Sequence, residues 1–66
     1  MVTKTAYAAI RRDTDADREF LDISTISSLP NTARDMAELD NQRIKIWTSA
    51  NPLQRIAQVQ ITEIGG

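Results

Sequence analysis

The sequence predicts a small α+β domain with a β-β-α-β order of elements. We expect a three-stranded antiparallel sheet in the order 2-1-3, with one helix packed on one face. Two segments, residues 19–27 and 55–64, are rich in β-branched residues, and an Asp-rich turn at 13–17 precedes the first of them. Pro30 begins a segment with helical periodicity. The 66 residues are predicted to form a single domain, 1–66.

The first two strands are predicted to form a hairpin. Residues 3–11 carry Tyr7 and Ile10 among alanines, which suit a helix or a strand equally well. The stretch DTDAD at 13–17 favours a turn, because Asp side chains bond nearby backbone groups. The β-branched residues of 19–27 then form the returning strand.

The same Asp-rich turn begins like a calcium-binding loop, with Asp at its first, third and fifth positions. Arg18 stands where that loop needs glycine for its sharp turn, and Ser24 stands where it needs a bidentate Glu. The segment is therefore interpreted as a solvated hairpin loop, and no metal site is predicted.

The helix is predicted over about residues 31–47. Pro30 suits a helix start, and Asn31 or Thr32 can serve as N-cap, with Asp35 at capping-box spacing from Thr32. On a helical wheel one apolar stripe forms, made of Ala33, Met36, Ala37, Ile44 and Trp47.

Asp40 falls within that stripe, and burying a carboxylate without a partner is costly. An alternative therefore ends the helix near Gln42 and makes residues 43–47 a strand, with Ile44 and Ile46 facing inward. The sequence favours the long helix and leaves the strand open.

The last strand is predicted over residues 55–64, after a stop at Asn51-Pro52. Gly65 and Gly66 are expected to be a frayed end. Alternation along the strand separates an inward from an outward set of side chains. The expected core consists of Ile23, Met36, Ala37, Ile44, Val59 and Ile61.

The composition indicates a binding protein rather than an enzyme. The chain has no histidine and no cysteine, and its two glycines stand together at positions 65 and 66. A histidine base, a zinc site of the usual kind and a glycine-rich phosphate loop are therefore excluded. No catalytic residue, cofactor or metal is predicted.

The charge distribution argues against nucleic-acid binding. Eight basic residues stand against nine acidic ones, and Arg11 and Arg12 are followed at once by Asp13. Nucleic-acid binders usually gather basic residues on one face. The sequence shows no signal peptide and no membrane-spanning segment, which predicts a cytoplasmic protein.

A homodimer is expected, because a chain of this size buries only about 60% of its unfolded surface and has no disulfide to compensate. One helix covers one face of a three-stranded sheet, which leaves the open sheet face or an exposed strand edge for the interface. Trp47 fits either the core or that interface. The candidate interface residues are Tyr7, Phe20, Ile26, Trp47, Ile56 and Ile64.

The segments TAYAAI, LDISTISSLPNTARDMA and RIAQVQITEI, together with Trp47, carry a resemblance to short phage and prophage proteins. In these a hairpin is followed by a capped helix that ends near a Trp and then by a closing strand. Some are anti-CRISPR or other anti-defence proteins, which occlude a host protein surface or sequester a signal molecule. The resemblance carries over no site residues.

The leading hypothesis is therefore a non-enzymatic binding protein that inhibits a host defence protein by protein–protein contact. A structural homo-oligomer and a nucleic-acid-associated regulator remain as alternatives.

Overall fold

The computed structural model describes residues 2–64 and confirms the predicted β-β-α-β fold. Strands β1 (Thr3–Asp13) and β2 (Arg18–Ser27) are followed by helices α1 (Pro30–Arg43) and α2 (Lys45–Ala50) and by strand β3 (Leu53–Thr62). The sheet order is β2-β1-β3, with both neighbours antiparallel to β1. The predicted frayed end at residues 65 and 66 lies outside the described residues.

The hairpin loop forms as the Asp-rich sequence predicts. The Asp13 side chain accepts hydrogen bonds from the backbone N–H groups of Asp15 and Ala16, at 3.0 and 3.1 Å. Asp17 has a φ of 53°, a left-handed conformation that Asp tolerates better than most residues. Its carboxylate pairs with Arg12.

The β2 strand contains a large bulge that the sequence analysis did not anticipate. Tyr7 pairs with Ser27 and Ala9 with Asp22. An advance of two residues along β1 therefore corresponds to an advance of five residues along β2. The three additional residues project the segment 23–26 away from regular pairing. As a result Ile23, predicted to be in the core, is 78% exposed.

The helical region begins where the sequence indicates, but with a different cap. Pro30 occupies the first turn and Leu29 is the N-cap residue, without a side-chain hydrogen bond. The prediction of Asn31 or Thr32 as N-cap is therefore wrong. A proline in the first turn lacks an N–H group that would in any case have no partner within the helix.

The predicted long helix is broken once, at Ile44, where φ is −126° and ψ is 61°. The helix resumes at Lys45, so the alternative strand over residues 43–47 is wrong. The Ile44 N–H still donates to Asp40 O at 2.8 Å, and the Thr48 N–H donates to Ile44 O at 2.9 Å. The break therefore redirects the chain while backbone bonds continue across it.

Pairing across the sheet identifies which face α1 covers, because directly opposite residues in antiparallel strands share a face. Ala9 and Arg11 share one face with Phe20 and Ile56, and Arg11 reaches the α1 backbone at Ala37 O. The opposite face has no helix over it among the described residues and contains Val59 and Ile61 along β3.

The predicted core is largely wrong for this reason. The phase assigned to β3 is inverted, so Ile61 is 43% exposed on the open face. Ile44 and Met36 are also exposed, and Ala37 alone of the predicted set is completely buried. Small side chains on both faces of β1 and on α1 are the most deeply buried instead. The fully buried apolar residues are Ala6, Ala8, Ala9, Ala33 and Ala37.

Candidate functional site

The interior contains an ion pair between Arg11 and Asp22. The Arg11 Nε donates to Asp22 Oδ2 at 2.9 Å, and the side chains are 0% and 7% exposed. The hairpin register places them on adjacent strands, one pair apart on the helix-covered face. A buried charge of either sign is costly unless it is paired and hydrogen-bonded, and here both conditions are met.

The Arg11 guanidinium also donates hydrogen bonds to α1 and to Asn51, the residue that follows α2. Its Nη1 donates to Asn41 Oδ1 at 3.1 Å and to Asn51 O at 3.0 Å, and its Nη2 donates to Ala37 O at 3.1 Å. The guanidinium carbon lies 5.2 Å from the centre of the Trp47 ring, a cation–π geometry. Arg11 therefore joins β1 to β2, α1, α2 and the segment that leads into β3.

Asp22 and Thr25 stabilise the start of the bulge. Asp22 Oδ1 accepts from Ser24 N at 3.2 Å and from Ser24 Oγ at 2.7 Å. The Thr25 hydroxyl donates to Asp22 O at 2.7 Å and accepts from Ala9 N at 2.8 Å. The hydroxyl thus replaces the backbone partner that the bulge removes from β1.

Opposing effects act on the pKa of Asp22. Burial raises the pKa, but hydrogen bonds from Ser24 and Arg11, with the charge of Arg11, together outweigh it and hold the pKa below its usual value. Asp22 is therefore ionised at neutral pH. Both of its oxygens are already hydrogen-bonded, which leaves it poorly suited to act as a general base.

The polar interior is fully satisfied. Within residues 2–64, no buried side-chain nitrogen or oxygen lacks a hydrogen-bond partner. Over the same part of the chain, no three His, Cys, Asp or Glu side chains form a group that could hold a metal ion. A groove of about 220 Å³ lies between α1 and β3 and is open to solvent; it is lined by Arg34, Glu38, Leu53, Gln54, Arg55 and Ile56.

The pairing places a set of apolar side chains on the uncovered face of the sheet, and we call this surface the open face. Its floor is formed by Ala6 and Ala8 of β1, which pair with Val59 and Ala57 of β3. Larger side chains surround these alanines. The apolar residues of the open face are Ala6, Ala8, Ile10, Leu21, Ala57, Val59 and Ile61.

Charged side chains border the open face at the hairpin end. Arg55 Nη1 and Glu19 Oε2 are 2.6 Å apart and reach across β1 from the two outer strands. The hydrogen bond from Arg55 lowers the pKa of Glu19, and Glu19 raises that of Arg55. Arg12 lies on the same face beside this pair, and Lys4 is exposed toward the other end.

The predicted interface residues do not form one patch. Phe20 and Trp47 pack edge to face, with ring centres 6.2 Å apart, on the helix-covered side. Ile56 and Tyr7 share that side and are half-buried, whereas Ile26 lies in the bulge and is partly exposed. Ile64 lies beyond the end of β3 and is exposed.

The ion pair of Arg11 and Asp22 and the composition of the open face were not predicted from the sequence. A signal for the ion pair was present: a hairpin centred on the loop at 13–17 places Asp22 one pair from Arg11. No comparable signal distinguished the two faces of β3, because both carry isoleucines.

Across residues 2–64, no helix has the length and apolar character needed to cross a bilayer. No protein-family model matches the chain, and no curated protein or solved structure matches it.

Proposed function

We propose that this protein is a non-enzymatic binding module and that the open face receives a folded protein partner. The open face is the observation that carries the proposal. It combines half-buried Ile10, Leu21 and Val59 with exposed Ile61, and no described helix covers it. Continuous exposed apolar surface with a polar border is typical of interaction sites.

The charged side chains around the open face indicate what charges a partner would present. Lys4, Arg12 and Arg55 lie on the open face together with the carboxylates of Glu19 and Glu63. Arg12 is paired with Asp17 and Arg55 with Glu19, so the charges of this face are balanced. We therefore propose a partner that presents an apolar patch bordered by charges of both signs. The resemblance to phage accessory proteins adds that this partner is a host defence protein.

A non-enzymatic role is supported by how the polar side chains are used. The buried carboxylate of Asp22 neutralises Arg11, and the hydroxyls of Ser24 and Thr25 bond to Asp22 and the backbone. These groups maintain the fold. The chain also has no histidine or cysteine to activate a nucleophile.

A pair of matched substitutions on β2 tests the proposal. Leu21→Gln adds an amide to the open face, and Ile23→Gln makes the same kind of change on the exposed bulge. The tagged wild-type protein and both variants are used to capture proteins from lysate, and each captured protein is then purified and titrated. Burying an unpaired amide weakens binding by roughly tenfold or more, so Leu21→Gln should lose the partner and Ile23→Gln should retain it.

Folding of both variants is checked by circular dichroism and by Trp47 fluorescence. Equal loss of a partner in the two variants, or wild-type protein that captures nothing above background, would contradict the assignment of the open face.

A further inference from the structure

The sheet has two outer edges, formed by β2 and β3, and they differ in how well they are protected against pairing with another strand. The outer edge of β2 is interrupted by the bulge at 23–26 and carries the exposed charges of Arg18 and Glu19. Bulges and charges of this kind prevent another strand from pairing. By contrast, residues 56–62 of β3 contain no charged residue, proline or glycine and pair regularly with β1. The β3 edge therefore lacks the usual protection against strand pairing.

The hydrogen-bond pattern identifies which β3 residues present free backbone groups. The Glu63 N–H donates to Val2 O at 2.8 Å, which makes Val2 and Glu63 a hydrogen-bonded pair. Such pairs alternate along an antiparallel ladder, so Ile61, Val59 and Ala57 direct their backbone groups toward β1. The intervening residues direct theirs away from the sheet; these are Ile56, Gln58, Gln60 and Thr62.

We propose that the β3 edge pairs with the β3 edge of a second copy of this chain, forming a continuous six-stranded antiparallel sheet with a two-fold axis at Val59. This arrangement brings Gln58 opposite Gln60 of the second copy and Ile56 opposite Thr62. All four outward residues then gain backbone partners. On the open face, Val59 meets its counterpart and Ala57 meets Ile61, so the apolar surface continues across the junction.

The large accessible surface of the monomer supports a second copy of the chain as the partner of the β3 edge. Its accessible area is 4803 Å², whereas a compact monomer of 7.4 kDa exposes about 4200 Å². The excess approaches the ~800 Å² that each partner contributes to a standard interface. The radius of gyration is 12.7 Å, against about 11 Å expected for a compact chain of this length. The net charge of −1 opposes self-association only weakly.

This pairing goes beyond the proposed function and does not depend on it, because it uses the strand edge rather than the open face. A protein that pairs through β3 and captures no host partner would overturn the proposed function alone. A monomer that binds a host partner would overturn this inference alone.

Sedimentation equilibrium of the full chain at micromolar to millimolar concentrations tests the pairing. We expect a species of twice the 7.4 kDa of one chain. Gln60→Pro removes an outward N–H that the monomer does not use, and proline is tolerated on such edges. Because it removes the same donor from both copies, we expect the dissociation constant to rise roughly tenfold or more. The control Gln60→Ala keeps the N–H and should change it far less.

A second pair of variants tests the register without proline. Gln58→Lys combined with Gln60→Lys brings like charges together across the two-fold axis and should abolish the dimer. Gln58→Lys combined with Gln60→Glu brings opposite charges together and should preserve it. A monomer at millimolar concentration, a dimer insensitive to Gln60→Pro, or equal behaviour of the two charge variants would overturn the proposal.

Discussion

The buried pair of Arg11 and Asp22 allows a quantitative test of what stabilises this fold. Asp22→Leu leaves the Arg11 charge buried without its carboxylate, and Arg11→Met leaves the Asp22 charge without its cation. The combined variant replaces both by apolar groups. These three variants and the wild type form a double-mutant cycle.

The expected magnitudes follow from the burial of the pair. Breaking a buried ion pair by removing one partner costs about 3–5 kcal/mol, because the remaining charge stays buried. A 66-residue chain holds about 3–10 kcal/mol at 0.05–0.15 kcal/mol per residue. Asp22→Leu should therefore lose at least about a third of the stability, and all of it if the wild type lies at the lower end of that range. Arg11→Met should cost less, since Ser24 still donates to Asp22. The combined variant should be substantially more stable than the sum of the single changes predicts.

Urea unfolding provides the measurement. Trp47 is the sole tryptophan of the chain and lies over Arg11, so its fluorescence reports on the region of the pair, while circular dichroism reports on the whole backbone. Sulfate or an osmolyte strengthens burial and keeps destabilised variants within the measurable range. All four proteins are compared under the same conditions.

Two results would refute this reasoning. If each single variant stays within about 0.5 kcal/mol of the wild type, the change is that of an ordinary surface site. If the combined variant loses the full sum of the single losses, the two side chains are not coupled in the way that their 2.9 Å contact requires.

Three further predictions concern the hairpin. Thr25→Val should cost about 1–3 kcal/mol, measured by urea unfolding, because it leaves the Ala9 N–H without its acceptor; an unchanged midpoint would argue against that bond. Because the pKa of Asp22 is lowered, its contribution to stability is complete above the unfolded-state value of about 3.9 and is lost as pH falls through the lower folded-state pKa. Acid titration of the unfolding free energy should thus be flatter in Arg11→Met combined with Asp22→Leu, and an identical slope would contradict this. Asp17→Gly relieves the positive φ but loses the Arg12 ion pair, so the melting temperature should change little; a large fall would show that the exposed pair matters more than expected.

The topology was predictable because local signals agreed with it. The Asp-rich loop specifies the hairpin, Pro30 specifies the helix start, and the crossover rule limits the order of the strands. The Arg11–Asp22 pair was also accessible from the hairpin register, but Arg11 enters the sequence-based prediction only as a basic charge close to Asp13. Its position in the middle of an alanine-rich strand was the better indicator.

Two features could not be read from the sequence. The residues of the bulge include Ile23 and Ile26, which continue the β-branched pattern of β2 and give no sign of irregular pairing. The two faces of β3 carry similar apolar content, with Ile56 on one and Ile61 on the other, so periodicity alone cannot choose between them. Their assignment depends on which face Arg11 occupies.

The helix break at Ile44 was only partly predictable from the sequence. Asp40 within the apolar stripe indicated that a straight helix was unfavourable. In the structure Asp40 is only half-buried, and its Oδ2 lies 3.3 Å from Ser24 Oγ. The redirected segment then brings Trp47 over Arg11. The position of Asp40 in the apolar stripe therefore did indicate a departure from a straight helix. That the departure is a break at Ile44, rather than a strand, depends on tertiary contacts that the sequence pattern does not show.

The bulge in β2 has a consequence for how far assembly can proceed. A sheet with two receptive edges adds subunits indefinitely and grows into a fibre. Here the segment 23–26 makes one edge irregular, so association through β3 is self-limiting. Shortening this segment to restore regular pairing would let the β2 edge pair with another strand as well. We expect such a protein to polymerise rather than to gain stability. The irregularity is, on this view, a safeguard of solubility.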